Sequence, residues 1–233
     1  MTTVRDIESY LFELAPKELA QSWDNVGLLV GEALRPVKKV LVTLDITAQT
    51  AREAIDLGCD LIVAHHPVMN CAWHPVQSVR DDNPQGRLLL TLIENHIAAI
   101  CMHTNLDAAK NGVNGALAET LGLAEAAPVE ENGIERVGSL PEPVPLERFL
   151  AHVKASLGAN GLRYADGGKP VRRVAVGGGA CGDFFQQAAA LGCDTFVTAD
   201  VVCPVVIEAL RRRFPTLEVV KSRRHREIIQ YFA

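Results

Sequence analysis

The stretch Asp60–Pro67, DLIVAHHP, decides how this chain is read. Leu61, Ile62, Val63 and Ala64 form an unbroken apolar run, and Pro67 stops it. A short apolar run rich in β-branched residues and closed by proline reads as a buried strand of a parallel sheet. His65 and His66 then lie at the strand's carboxyl end, the rim where open α/β sheets bind ligands. A second apolar run, Ile97–Met102, ends the same way and leads into His103, Thr104, Asn105, Leu106 and Asp107. Two adjacent strand ends would present His65, His66, His103 and Asp107 to one site. Mixed imidazole and carboxylate donors suit a divalent transition metal.

Working outward from these runs, the pattern is βαβ. Val40–Leu44 reads as strand, Thr47–Leu57 as helix with Gly58 as its stop, and Asp60–Ala64 as strand. Asn83–Asn95 gives the next helix, Ile97–Met102 a strand, and Ala108–Leu121 a helix interrupted in character by Gly112 and Gly115. Upstream, Val4, Ile7, Leu11 and Phe12 have helical spacing, and SWDNVGLLVG (Ser22–Gly31) reads as a turn feeding a short strand. In that turn Asp24 and Asn25 read mainly as local turn formers. Residues 124–145 lose the periodicity and carry four prolines, so a connecting segment or sheet excursion is expected there. Pro145–Leu157 is helical again.

The central unit then returns. Val37–Val68 aligns with Val171–Val202 without a gap, at an offset of 134, and ten of the 32 pairs are identical. They include Gly58/Gly192, Cys59/Cys193, Asp60/Asp194 and Val63/Val197. Matches spread through the unit argue for internal repetition rather than shared βαβ grammar alone. The expected architecture is α/β: two similar βαβ-type lobes packed around a metal cleft, with a small connecting segment. The boundary is placed between a first lobe, 1–125, and a linker with second lobe, 126–233. Helix Pro204–Arg213 and strand Leu217–Val220 would echo the helix and strand before His103. In this register His65 and His66 face Ala199 and Asp200, so only the first lobe can be the main ligand donor.

Composition narrows the class. Of 233 residues, 48% are apolar and 22% charged, the balance of an ordinary globular protein. A net charge of −5 disfavours general nucleic-acid binding. No run approaches the roughly 20 apolar residues of a membrane span. The N-terminus has no signal-peptide layout, so a cytoplasmic location is expected. The six cysteines form no CxxC pair, which argues against a zinc-thiolate site, and a disulfide framework is not expected.

Two consecutive histidines in a continuing strand would point to opposite faces. One site could use both only where the strand breaks, and Pro67 allows such a break. Otherwise each would serve a different ion of a pair, the preferred reading. His103 and Asp107 are four residues apart and would share a face at a helix start. A competing motif is Gly177–Gly182, GGGACG, which satisfies GxGxxG between a strand and a helix, with Asp200 further on. The equivalent first-lobe loop has no glycine. A close-packed or anion-binding turn is therefore favoured over a dinucleotide site. The basic residues of 211–226 read as a helix end and an exposed or phosphate-holding segment.

SWDNVGLLVG, VTLDIT, IVAHHPV, HTNLDAA, VGSLPEP, and GGGACGDF with LGCDTFVTADV together resemble the dinuclear metal-centre proteins called GTP cyclohydrolase 1 type 2 homologs. The match covers about residues 1–203, and HHP with HTNLD is its most specific part. The resemblance implies a hexamer of two-lobed α/β subunits with two divalent ions, Zn, Fe or Mn, and a metal-dependent hydrolase acting on a small-molecule or nucleotide substrate. It implies His65, His66 and Asp107 as ligands, with His103 adjacent. The family closes its site with a Gly-His-x-x-x-Glu stretch, whereas this chain reads KSRRHREII. His225 and Glu227 supply those residue types at another spacing, with Glu227 the candidate bridging and catalytic carboxylate. A non-catalytic metal-binding scaffold or regulator is the alternative.

Overall fold

The computed structural model describes residues 1–70, 75–130, 133–199 and 218–221. It divides into two compact units. The first holds residues 1–106 together with the strand Glu218–Lys221, and the second begins at Asp107. The sequence had placed this division at 125/126. The helix that follows Asp107 packs its apolar face on the second unit's sheet, so residues 107–125 go with that unit.

The first unit opens with helix α1 (Val4–Leu14), which buries Val4, Ile7 and Leu11. Its start is a capping box: Thr3 accepts from the Asp6 N–H, and Asp6 accepts from the Thr3 N–H, satisfying two otherwise orphaned donors. Strand β1 (Gly27–Val30) follows, then β2 (Lys39–Thr43), helix α2 (Ala48–Leu57), β3 (Leu61–Ala64), helix α3 (Pro84–Glu94) and β4 (Ala98–Cys101). Helix α2 is capped by Thr47 and stopped by Gly58 in the left-handed region, as its sequence required. Asn83 caps α3, and Pro84 takes its first position, where no N–H is missed.

The first sheet has the order β1-β4-β3-β2-β9, where β9 is Glu218–Lys221. Strands β4, β3, β2 and β9 are parallel, and β1 runs antiparallel on the β4 edge. All four residues of β3 and all four of β4 are buried. Ile62, Ala64, Ala99 and Cys101 belong to a core with Leu41, Ala51, Ala54, Leu88, Leu89 and Leu92. The strand expected at 217–220 therefore exists, but it does not repeat β4. It pairs with β2, on the opposite side of the first sheet, with Val40 opposite Val219. The helix expected at Pro204–Arg213 lies outside the described residues.

The second unit carries α4's last residues, helix α5 (Val113–Thr120), β5 (Ala124–Pro128), β6 (Arg136–Val144), α6 (Leu146–Leu157), β7 (Val171–Gly178), α7 (Phe185–Ala190) and β8 (Thr195–Ala199), with α4 spanning Thr104–Ala108. Its sheet order is β5-β6-β7-β8, antiparallel except for the parallel pair β7·β8. The proline-rich segment is thus an antiparallel sheet excursion, with Pro128 at the outer strand's end where a ladder tolerates it. Its core is separate, built on Leu117, Leu121, Phe149, Val153, Val171, Val174 and Val176. The helix expected over 108–121 is two pieces. Arg136 explains the break: its guanidinium donates to the carbonyls of Ala108 (2.7 Å) and Ala109 (3.1 Å), so those carbonyls have a partner without a continuing helix.

The repeat holds at the level of individual bonds. In the first unit Val40 pairs with Leu61 and Val42 with Val63. In the second Val174 pairs with Thr195 and Val176 with Val197, the same register 134 residues on. Asp60 accepts from the N–H groups of Lys38 and Lys39, and Asp194 from those of Arg172 and Arg173. Among the described residues, no helix is long and apolar enough to cross a membrane.

Candidate metal centre

Strand β3 ends at Ala64, and the chain bends at once. The His65 N–H reaches the carbonyls of Thr43 and Leu44, and the His66 N–H also bonds Leu44. Side-chain alternation belongs to extended backbone, so it no longer separates the two rings. Next door, Met102 donates its N–H to the Ala64 carbonyl, which holds the end of β4 level with the end of β3. His103 follows immediately.

The three imidazoles converge. Ring centroids are 5.1 Å apart for His65 and His66, 5.0 Å for His65 and His103, and 5.4 Å for His66 and His103. One nitrogen from each lies within 4.8 Å of the others, a set able to hold a metal ion. Nitrogens bound tetrahedrally at Zn–N distances of 2.0–2.1 Å stand about 3.4 Å apart, so the donors need close by no more than about 1.4 Å to meet that geometry. His65 and His103 are buried, and His66 is half-buried.

Each ring is held by an acceptor at Nδ1. His65 Nδ1 donates to the Met102 carbonyl at 2.9 Å, His66 Nδ1 to Asp45 Oδ1 at 2.7 Å, and His103 Nδ1 to Asp24 Oδ1 at 2.9 Å. A carbonyl or carboxylate can only accept, so in each ring the proton sits on Nδ1 and the lone pair on Nε2. This is the arrangement in which proteins present histidine to metals: an outer acceptor sets the tautomer, aims the ring and raises its basicity.

The electrostatics keep the His65 ring neutral. Burial, reinforced by the nearby His103 and His66, pulls the His65 imidazole down from 6.5 to about 3. Burial alone would push the Asp24 carboxyl up. Hydrogen bonds from His103 and Thr104 outweigh it, and the group comes to rest at about 2. Asp24 accepts from the Thr104 N–H and hydroxyl, and Thr104 in turn accepts from the Gln21 N–H. Asn105 accepts from the His103 N–H and donates to the Ala15 carbonyl. The second histidine-bearing turn is thereby anchored to α1 and to the β1 entry turn.

The structure thus brings together three of the residues singled out in the sequence, with His103 a full member rather than a neighbour. Asp107 sits on α4, is buried, and accepts at its carbonyl from Asn114. It is not one of the three mutually close donors. His225 and Glu227 lie outside the described residues. Sequence reasoning underrated Asp24, read there as a turn former, and left Asp45 without a role. Both stand in loops far along the chain from their imidazoles, and the available signal was only the carboxylate in each motif.

The glycine loop is a close-packed turn. The Gly178 N–H donates to Asn114 Oδ1 at 2.6 Å, and the Cys181 N–H to the Gly179 carbonyl. A Cβ on Gly177 would stand 2.7 Å from the Cys181 Cβ. Two of the loop's backbone donors are thus engaged within the protein, and only a 3₁₀ turn and six-residue α7 follow. Cys59, Cys101, Cys181 and Cys193 are not in disulfides.

Two α/β units, one ending its parallel strands in a triad of seated imidazoles, define a protein with a candidate metal centre. The chain belongs to the Duf34/NIF3 (NGG1p interacting factor 3) family, whose model matches residues 2–228. It is 35% identical over 204 residues to a GTP cyclohydrolase 1 type 2 homolog of Clostridium perfringens, covering 84% of this chain and 77% of that one. It is 37% identical over 220 residues to the homolog of Streptomyces coelicolor, covering 90% and 76%. Its fold is that of a Bacillus cereus protein related to NIF3, with a TM-score of 0.85 at 23% identity over 96% and 97% of the two chains.

Proposed function

We propose that this protein is a divalent-metal-dependent hydrolase whose first ion is held by His65, His66 and His103. One observation carries the reading: three convergent imidazoles each donate Nδ1–H to a fixed acceptor. Three imidazole nitrogens leave coordination positions for water or substrate, the mark of a catalytic rather than a closed structural site. A divalent ion held there supplies Lewis acidity and activates water for attack on a carbon or phosphorus centre. The chain's own part is to keep His65 neutral, through its burial, and the three donors oriented, through Asp24, Asp45 and the Met102 carbonyl. Asp107, His225 and Glu227 are the donors proposed for a second ion, with Glu227 as the bridging carboxylate. The names of its relatives suggest a nucleotide substrate. A homo-oligomer, hexameric by resemblance, and a cytoplasmic site of action complete the proposal.

The test is elemental analysis of the purified protein, followed by GTP turnover with added Zn, Mn or Fe. Metal bound at one or two ions per subunit, with turnover abolished by the double substitution His65→Ala, His66→Ala, is the expected result. Metal without turnover of GTP or phosphoesters would support a second reading, a metal-binding oligomeric scaffold. That reading is favoured by the family's description as an interacting factor.

A further inference from the structure

Trp23 stands at the edge of the metal centre and is unusually open for a tryptophan. It is 45% exposed, and its ring meets His103 edge to face, with centroids 5.9 Å apart at 72°. Tryptophan normally buries most of its large surface. Here the next residue, Asp24, has a side chain with no exposed surface, locked to His103 and Thr104. The backbone carrying the indole is therefore fixed by the same carboxylate that orients a candidate ligand. The result is a flat, rigid and partly solvent-facing ring within one ring's width of the imidazole triad. Gln21 and Ser22 before it are exposed and polar.

We propose that Trp23 is a stacking platform for a purine-sized heteroaromatic ring of the substrate. This inference rests on the metal-centre reading for its chemical use, but its binding step does not. A bicyclic ring laid on the indole comes to lie beside His103, so its substituents face the triad. Stacking on an aromatic side chain is tolerant of ring substituents, because every base has a π-face. Trp23 thus selects for a planar ring, and the imidazoles act on what that ring carries.

The experiment uses the full chain with Trp73→Phe, which leaves Trp23 as the one tryptophan. Guanosine 5′-monophosphate and ribose 5-phosphate are titrated by equilibrium dialysis, and Co²⁺ is titrated by its visible absorption. The expected result is that Trp23→Leu weakens guanosine monophosphate binding by about fivefold or more. Ribose 5-phosphate binding and the Co²⁺ spectrum stay unchanged, and Trp23→Phe falls between. Equal nucleotide binding by Trp23→Leu and its parent overturns the platform, as does no nucleotide binding by the parent. A Co²⁺ spectrum lost in both Trp23→Leu and Trp23→Phe would make the residue structural, and also overturns it. If the parent binds nucleotide through Trp23 yet takes up no Co²⁺, the platform stands and the metal reading fails.

Discussion

The segments β2-α2-β3 and β7-α7-β8 share a register, a helix-stopping glycine and a carboxylate that caps the incoming strand, yet they differ where chemistry would sit. In the first, β3 is interior to its sheet, flanked by β2 and β4, and wholly buried. In the second, β8 stands at the edge of its sheet among the described residues, and Thr195, Phe196 and Val197 are only partly buried. The neighbour that covers β3, strand β4, is the element that delivers His103. The lesson is that a βαβ unit supplies a scaffold, but a polyvalent site needs a second strand end beside the first.

The largest expected difference between the units lies in metal affinity. His65→Ala or His103→Ala should lower Co²⁺ or Zn²⁺ affinity by more than about a hundredfold, beyond the 10–100-fold typical of losing an outer partner. Equilibrium dialysis with elemental analysis reads this. Retention of stoichiometric metal by both variants would erase the distinction between the units.

Burial is the next contrast. Ile62→Ala empties a fully buried position in β3 and should cost about 2–5 kcal/mol, as such truncations do. Val197→Ala, on the partly exposed β8, should cost clearly less. Urea denaturation of both variants would expose any equality between them.

A third test sharpens the role of the outer acceptors. Asp24→Asn keeps the shape but removes the charge that holds the His103 proton. It should weaken metal binding about 10–100-fold without abolishing folding. Unaltered affinity would show that the Asp24 contact is structural alone.

Acid dependence separates the units too. His65 falls from 6.5 to about 3 on folding, so the unfolded chain binds the extra proton between those values. Its contribution is fully present above about pH 6.5 and is lost as pH falls toward 3, with a slope of at most about 1.4 kcal/mol per pH unit. Asp24, lowered from 3.8 to about 2, has the same sign in the lower window. Substituting His65 by Gln should flatten the stability profile between pH 4 and 6, measured without added metal. An unchanged slope there would refute the buried neutral imidazole.

The smallest effect expected is on the repeat's shared turn. Asp60→Ala and Asp194→Ala each strip a carboxylate from two backbone N–H groups, worth about 1–2 kcal/mol. Asp60, nearer the buried sheet, should show the larger loss in thermal unfolding.

Much of this architecture was legible in the residues alone, because it is written in local periodicity. The runs at 61–64 and 98–101, the glycine stops at 58 and 192, and the ten matches at an offset of 134 are each decided within a few residues. So was the placing of His65, His66 and His103 at strand ends. Tertiary structure alone decided that β9 joins the first sheet beside β2 rather than echoing β4, since strand pairing depends on which edge is open. It alone turned His65 and His66 toward one point, because side-chain direction past the end of a strand follows the bend of the backbone. It also chose Asp45, Met102 and Asp24 as the partners of His66, His65 and His103, at separations of 21, 37 and 79 residues that no local pattern records.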